Sequence, residues 1–414
     1  MKILKLSSYY EPEQISSSHM SSDLENAYMD ADIVIENYVP TPTRGVTDEV
    51  RREYKKKKYE EKFGGKIIVH RFSMFREGKN PIFRALRYVL VNLVQYNKGS
   101  HAKDIDVITA GSTPPTQGTL CSLVKKKLSK KYGKNVPFVF ILQDIFPDSL
   151  VNAKMTRKGS MLWKIGRKIE DFTYRNADKI IVISEAFKRN IMEKGVPEEK
   201  IVIVPNWIDI DEVAPVSRED NRLFEEFSLD REKFTVVYAG NFGVTQGTDV
   251  ILQAAELLKD NNEIQFVLFG GGAEYEKAVE TVKSKQLSNV TIDKLLPQER
   301  VPEVYSLGDV ALITCKKGVG ESGMPSKTWS IMACNTPIIA SFDTNSEMAE
   351  ILTSANAGAC VEPENAEELA KAISNYAEGK TEKYTGGREY VSANASKKNT
   401  LKYVETIKSA AAGK

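Results

Sequence analysis

Short apolar runs rich in Val and Ile alternate with longer amphipathic segments through the first half of the chain. The runs are "KILKLS" (2–7), "ADIVIEN" (31–37), "KIIVHRF" (66–72), "DIDVITA" (104–110), "PFVFILQD" (137–144), "KIIVIS" (179–184) and "KIVIVPN" (200–206). A near-continuous run of branched apolar residues offers no polar face to water, so each predicts a strand buried on both sides of a parallel sheet. Between them, helices are expected over 21–29, 81–96, 116–132, 162–176 and 185–194. Strands and helices in alternation predict βαβ units.

The rhythm breaks at a polar, acidic stretch, 208–233, and then restarts with "FTVVYAG" (234–240), "IQFVLFGGG" (264–272), "NVTID" (289–293), "DVALITC" (309–315), "PIIAS" (337–341) and "GACVEP" (358–363). The pattern predicts an α/β protein of two doubly wound, Rossmann-like domains, residues 1–205 and 206–390, with a last helix near 395–412 that docks back on the first domain. Ligands of such sheets bind beyond the carboxyl ends of the strands, so the expected site is a cleft between the domains.

Composition narrows the class. With 41% hydrophobic and 28% charged residues the chain is neither disordered nor fibrous. The opening "MKILKLSSYY" is too short an apolar run for a signal peptide, and no stretch approaches the roughly 18 apolar residues of a membrane span. A cytoplasmic location is expected. Cys121, Cys315, Cys334 and Cys360 are far apart, with no C-x-x-C and no His at ligand spacing, so buried free thiols are expected and no metal.

Charge is unevenly shared. Residues 1–205 carry 36 Lys and Arg against 24 Asp and Glu, a balance of +12, whereas residues 206–414 carry 22 against 32, a balance of −10. The basic runs "RREYKKKK" (51–58), "KKKLSKKYGK" (125–134) and "KMTRKGSMLWKIGRK" (154–168) are each compatible with a solvated helix face. Together they point to an anionic partner, either a membrane surface or a pyrophosphate-bearing acceptor, and no nucleic acid is expected. The segments 80–96 and 154–168 join apolar faces to Arg and Lys, which suits an interfacial helix or a core helix with a basic outer side.

Three stretches of the second half carry candidate chemistry. In "YAGNFGVTQGTDVILQAAELL" (238–258) a strand runs into a Gly-spaced loop and then a helix, and Gly240, Gly243 and Gly247 allow backbone N–H groups to approach an anion. "FGGGAEY" (269–275) repeats that turn with Gly271, Gly272 and Glu274. In "GESGMPSKTWSIMACNTPIIAS" (320–341) Glu321 opens a flexible loop, Ser326 is placed to cap a helix, and Lys327 falls in its first turn. A cation there opposes the helix dipole, so it either points to solvent or meets a docked anion.

Taken in order, these stretches, with "NVTIDKLLPQERVPEVYSLGDVALI" and "AGACVEPENAEELAKAI", resemble the donor-binding half of the family 4 retaining glycosyltransferases of the GT-B fold, closest to the branch that builds bacterial capsule and O-antigen polysaccharides. The first half agrees through "SSYYEPE", "STPPTQG" (112–118), "FILQDIFPDSL" (140–150) and "IVISEAFKRNIMEKGVPEEKIVIVPNWID" (181–209).

The resemblance implies a nucleotide-sugar donor, preferably a UDP-sugar, as substrate, with no cofactor and no metal. It implies a glycan acceptor linked to undecaprenyl diphosphate, and a protein held peripherally at the inner face of the cell membrane. Glu321 matches the family's Glu that approaches the donor sugar. Where many members have a second Glu for the donor ribose, this chain has Ser330, and where many bring Arg and Lys onto the diphosphate it has Asn241 and Gln246. Lys327, aided by Ser326, is the expected substitute, since each charge-assisted hydrogen bond lost would cost about 1.5–3 kcal/mol. The base is expected along the backbone of Asp293, Lys294 and Leu295.

On the acceptor side, Ser16, Ser17 and Ser18 stand where the family has a glycine pair, and His19 follows as a candidate that is equally a packing residue. Asp144, at a strand end, is placed to take the acceptor proton, while Asp148 serves either chemistry or a helix N-terminus after Pro147. Two other classes share these features: a nucleotide-sugar epimerase or hydrolase, and a non-enzymatic sugar-binding protein. Dependence of turnover on an added acceptor separates the transferase from both.

Overall fold

Parallel strands with no water on either face must be covered by helices on both, and the chain builds this arrangement twice. The computed structural model describes residues 1–13, 18–78, 80–152, 155–320 and 323–413, and it divides into one unit of Met1–Pro205 with Lys398–Lys414 and another of Asn206–Lys397.

The first unit holds an eight-stranded sheet. Its strands are β1 (Lys2–Leu6), β2 (Val34–Pro40), β3 (Tyr59–Lys62), β4 (Ile67–Phe72), β5 (Val107–Gly111), β6 (Phe138–Leu142), β7 (Lys179–Val182) and β8 (Ile201–Ile203), in the order β3-β4-β2-β1-β5-β6-β7-β8. All pairs are parallel except β3 with β4. The order reverses direction at β1, between β2 and β5, which is where such a sheet opens a crevice at its carboxyl end. The helices Pro81–Ser100 and Met161–Asn176 both pack on Gln117–Tyr132. The C-terminal helix Asn399–Ala411 buries Tyr403, Val404 and Ile407 and packs against the helix Ser18–Asp30 and strands β5 to β7.

The second unit is a six-stranded, wholly parallel sheet ordered β11-β10-β9-β12-β13-β14. The strands are β9 (Phe234–Asn241), β10 (Ile264–Gly271), β11 (Val290–Lys294), β12 (Val310–Thr314), β13 (Ile338–Ser341) and β14 (Gly358–Val361). Alternate residues feed two cores: Val237, Val267, Ala311 and Ile338 on one face, and Val236, Phe266, Val310 and Ile339 on the other. β9 stays paired with β10 as far as Asn241, but pairs with β12 only at Val236 and Val237. The sheet therefore parts between β9 and β12 towards their carboxyl ends.

Two features depart from the expected pattern. The edge strand β3 reads "YEEK", charged at alternate places, because an edge strand exposes one side to water and needs no apolar run. The acidic stretch 208–233 folds into the second unit: Val213, Leu223 and Phe224 are buried, and Arg218 bonds Asp309 at 3.1 Å. Its charges pair with residues distant in sequence, Arg222 with Glu303 and Glu226 with Arg300, which its composition alone does not reveal.

Gly118, in the helix Gln117–Tyr132, is a point of close approach to the helix Met161–Asn176, since a Cβ there would lie 2.2 Å from Thr173 Cγ2. Gly118→Ala is expected to destabilise the first unit by about 1–3 kcal/mol through overpacking. Urea unfolding followed by circular dichroism checks this; an unchanged midpoint would show that the two helices separate freely.

Candidate functional site

The loop after β9 is held to the end of β10 by backbone bonds: Phe242 N–H to Gly271 O at 2.7 Å and Glu274 N–H to Phe242 O at 2.8 Å. Asn241 Nδ2 donates to Gln246 Oε1 at 3.2 Å, and the two amides close over Gly243, where a Cβ would lie 2.3 Å from Gln246 Oε1. Gly272, at φ +123°, lets Asn241 approach; a Cβ there would sit 2.1 Å from Asn241 Oδ1. Thus Asn241 and Gln246, in the places where resemblance expected cations, form a neutral latch across the glycine loop. The helix Asp249–Leu257 starts behind it, and Thr248 gives it no side-chain cap.

A second loop, after β12, is pinned by a residue the sequence reading missed. Asp343, buried just beyond β13, accepts from Gly318 N–H at 2.8 Å and from Gly320 N–H at 2.7 Å. Lys316 N–H donates to Thr245 O at 3.0 Å, tying this loop to the first. The one available signal was an Asp following the apolar run "PIIAS" within "SFD". Glu321 lies outside the described residues, directly after the pinned Gly320.

The chain then enters the helix Lys327–Ala333. Ser326 occupies the cap position but has helical φ/ψ and makes no side-chain cap bond, which corrects the capping role expected of it. With its backbone already helical, its hydroxyl is not aimed back at the first-turn N–H groups. The helix itself is anchored by buried Trp329, Ile331 and Met332, and Ser330 is partly exposed on it.

Lys327 is half-buried as a residue, and its ammonium turns inward. The Nζ lies 3.8 Å from the centroid of the Tyr238 ring and 3.5 Å from Ala239 O, beside Gly240, where β9 and β12 have parted. Tyr238 is fully buried and its hydroxyl donates to Asn241 O at 2.9 Å, so the aromatic face is fixed under the ammonium. Burial pushes the Lys327 ammonium down to about 7, and among the described residues no carboxylate pairs with it. A ring face attracts a cation by roughly 0.5–2 kcal/mol, less than the several kcal/mol of desolvating an ion. The ring and the Ala239 carbonyl therefore do not offset the desolvation of the ammonium.

The other donor-side candidates surround this point less tightly. Glu274 opens the helix Tyr275–Ser284 and pairs with Lys277 at 3.5 Å, and Gly247 lines a cavity of about 120 Å³ with Thr248, Glu274 and Lys316. Asp293 and Lys294 end β11, and Leu295 N–H bonds Gly270 O at 3.2 Å, so the three continue the sheet edge beside β10. Lys294 turns to Glu276 at 3.6 Å and to the Tyr275 ring.

In the first unit, Ser112 Oγ accepts from the N–H groups of Gln143 at 3.2 Å and Asp144 at 3.1 Å, fixing the loop beyond β6. Asp144 is exposed as a residue, yet the partial burial of its carboxyl raises it above the usual carboxylate range, opposed by a hydrogen bond with Ser149. Asp148 begins the helix Asp148–Asn152 and is held at 2.7 Å by Lys194, which also pairs with Glu170 at 3.0 Å. Burial alone would raise its pKa, but Lys194 and Asn190 hold it below the ordinary value. Of the two readings its place after Pro147 allowed, the helix start is the one seen here, with the carboxylate engaged by Lys194. Ser16 and Ser17 fall outside the described residues, while Ser18 and His19 open the helix Ser18–Asp30. Among the described residues no group of three His, Cys, Asp or Glu side chains is placed to hold a metal. The four cysteines are free, three of them buried and Cys360 half-buried.

Two family models divide the chain as its sheets do. Glycosyltransferase Family 4 matches residues 43–212, and Glycosyl transferases group 1 matches residues 219–398. The chain is a GT-B glycosyltransferase of family 4. The probable glycosyltransferase WbjE of Pseudomonas aeruginosa is 29% identical over 279 residues, covering 67% of this chain and 68% of that protein. The putative colanic acid biosynthesis glycosyl transferase WcaI of Escherichia coli K12 is 26% identical over 286 residues, covering 68% and 69%. The fold of this glycosyltransferase matches that of Anabaena Alr3699/HepE, solved in complex with UDP, with TM-score 0.70 at 15% identity, covering 99% of this chain and 100% of that one.

The buried ammonium makes a signed prediction for the ligand-free glycosyltransferase. Lys327 titrates near 7 when folded against 10.5 in its ordinary state, so between those values the unfolded chain binds the extra proton and stability from this group rises with pH. Below the lower value the fold carries the whole desolvation cost. Lys327→Met is expected to raise the urea midpoint at about pH 6, with the gain shrinking by about pH 9. A lower midpoint at the acid end would contradict the uncompensated ammonium.

Proposed function

We propose that the enzyme transfers a sugar, with retention of anomeric configuration, from a UDP-sugar to a lipid-diphosphate-linked glycan during assembly of a bacterial surface polysaccharide such as a capsule or O-antigen. The observation that carries this reading is the Lys327 ammonium, desolvated over Tyr238 at the carboxyl end of β9 with no carboxylate partner among the described residues. A nucleoside diphosphate supplies the missing charge. The Asn241–Gln246 latch covers the glycine loops at Gly243 and Gly272, so a diphosphate reaches their backbone N–H groups when this neutral pair of side chains swings aside.

In this reading the acceptor hydroxyl oxygen forms a bond to the anomeric carbon on the face that the diphosphate leaves. The bond from that carbon to the diphosphate oxygen breaks, its electron pair stays on the leaving group, and Lys327 stabilises the charge. The hydroxyl proton passes to Asp144, the candidate base on the acceptor side. Glu321 is kept for the donor sugar. UDP is preferred because HepE is a UDP-binding relative in fold, solved also with UDP-glucose, and the surface-polysaccharide role because WcaI is named for colanic acid biosynthesis.

Membrane attachment rests on a separate feature. Along the helix Pro81–Ser100, Ile82, Leu86, Val89 and Leu93 recur on one face and are exposed, Ile82 at 78% and Leu93 at 60%. Met161, Leu162 and Ile165 are exposed at the start of Met161–Asn176, with Lys164 and Lys168 beside them. Apolar stripes flanked by cations suit the interface of an anionic bilayer, where each basic residue near the surface adds about 1 kcal/mol. Among the described residues no helix is long and apolar enough to cross a membrane.

Two outcomes follow. UDP is expected to raise the thermal midpoint of the purified enzyme more than GDP or TDP, Lys327→Met is expected to abolish the shift, and product formation should require an added acceptor. Turnover of donor alone would favour an epimerase or hydrolase. In sedimentation with anionic phospholipid vesicles, Leu86→Asp with Leu93→Asp should lower binding at least tenfold while leaving the UDP shift intact; unchanged sedimentation would remove this helix from the interface.

A further inference from the structure

We propose that the first unit contains an oxyanion site centred on Arg87, at the carboxyl end of β1, β2 and β4, that takes a phosphate or carboxylate group of the acceptor. The inference rests on the reading of this unit as the acceptor side. Arg87, in the helix Pro81–Ser100, is 0% exposed and is among the largest fully buried side chains in the chain. Its Nε donates to Phe75 O at 3.1 Å, but Nη1 and Nη2 have no hydrogen-bond partner among the described residues. Buried guanidinium groups are ordinarily held by a bidentate carboxylate or by several carbonyls, and orphaned buried donors point to a missing group.

The carboxylates close by are already used. Glu77 accepts from the Tyr9 hydroxyl at 2.9 Å and pairs with Arg44 at 2.9 Å and Arg84 at 3.1 Å. Glu13 accepts from the N–H groups of Tyr10 at 3.1 Å, Thr43 at 2.7 Å and Arg44 at 2.9 Å. A second guanidinium, Arg51, donates to the carbonyls of Pro42 and Met74, and burial followed by the charge of Arg87 lowers its pKa. Against burial, the Arg87 charge reaches the Glu77 carboxyl and helps to lower it, yet neither outer nitrogen of Arg87 has a hydrogen-bond partner among the described residues, and an anion would supply one.

The placement is that of a ligand site. Tyr9, Tyr10 and Glu13 follow β1, Pro42 to Arg44 follow β2, and Phe75 to Glu77 follow β4, all at the strand ends where doubly wound sheets bind ligands. Arg44 and Arg84, with side chains 37% and 45% exposed, add positive charge on the outer side of the same wall. Since Arg87 is closed off from water in the unliganded chain, an anion gains it by loosening the 73–77 loop, whose amide exchange reports the event.

The test uses the full chain saturated with UDP, titrated separately with inorganic pyrophosphate and with glucuronate, and read by calorimetry and by hydrogen exchange of residues 73–77. Saturable binding of at least one anion is expected, with exchange in that loop altered. Pyrophosphate alone assigns the group to a diphosphate linkage, and glucuronate alone to an acidic sugar. Arg87→Met should weaken binding at least tenfold. Arg87→Lys, which keeps the charge but not the planar fork, should weaken it severalfold and serves if the Met variant does not fold. Failure of both anions to bind, or variants that bind like the wild type, would overturn the proposal. Wild-type affinity for UDP is measured first and reports on the donor reading alone, while the dependence on Arg87 is read whether or not UDP binds.

Discussion

A strand buried on both faces carries charge only at a desolvation cost, and in the second unit β9, β10, β12, β13 and β14 carry no charged side chain at all. Polar chemistry is confined to the strand ends, and the ends that matter are those where neighbouring connections run to opposite sides. In the second unit that place lies between β9 and β12, whose pairing stops at Val237 and Ala311. The gap so formed receives the side chain of Lys327, which would otherwise have no route to the Tyr238 ring and the Ala239 carbonyl.

Among the described residues, the surroundings of Lys327 offer it no compensating carboxylate. Asp343 spends its carboxylate on the N–H groups of Gly318 and Gly320, so this buried acid orders the loop rather than neutralising the ammonium. Asn241 and Gln246 satisfy one another. One desolvated cation among neutral loop groups comes at a cost to the stability of the fold. Arg87 in the first unit repeats the theme with unpartnered nitrogens in place of a lowered pKa.

Much of the fold was legible because buried strands must be apolar: "FTVVYAG" and "IQFVLFGGG" became β9 and β10 with small changes at their ends. The edge strand β3 was not, since "YEEK" needs no apolar side that a pattern could detect. Nor was the packing of 208–233, where Arg218 finds Asp309 through a separation of 91 residues. Local rules also misplaced one group and left another undecided. Ser326 precedes a helix as a cap residue should but is itself helical, and Asp148 is claimed by Lys194, a residue far along the chain.

The sequence by itself determined the two parallel-sheet units, the glycine loops at their strand ends, and the presence of a lysine at the start of a short helix. These are properties of local pattern, decided by which residues can face a neighbouring strand or accommodate a tight turn. Only the tertiary structure decided what that lysine meets. Lys327 and Ala239 stand 88 residues apart, and their meeting depends on where β9 and β12 part, which no local spacing encodes. The same holds for Arg87, whose want of partners becomes visible only after the loops following β1, β2 and β4 have committed Glu13 and Glu77 elsewhere.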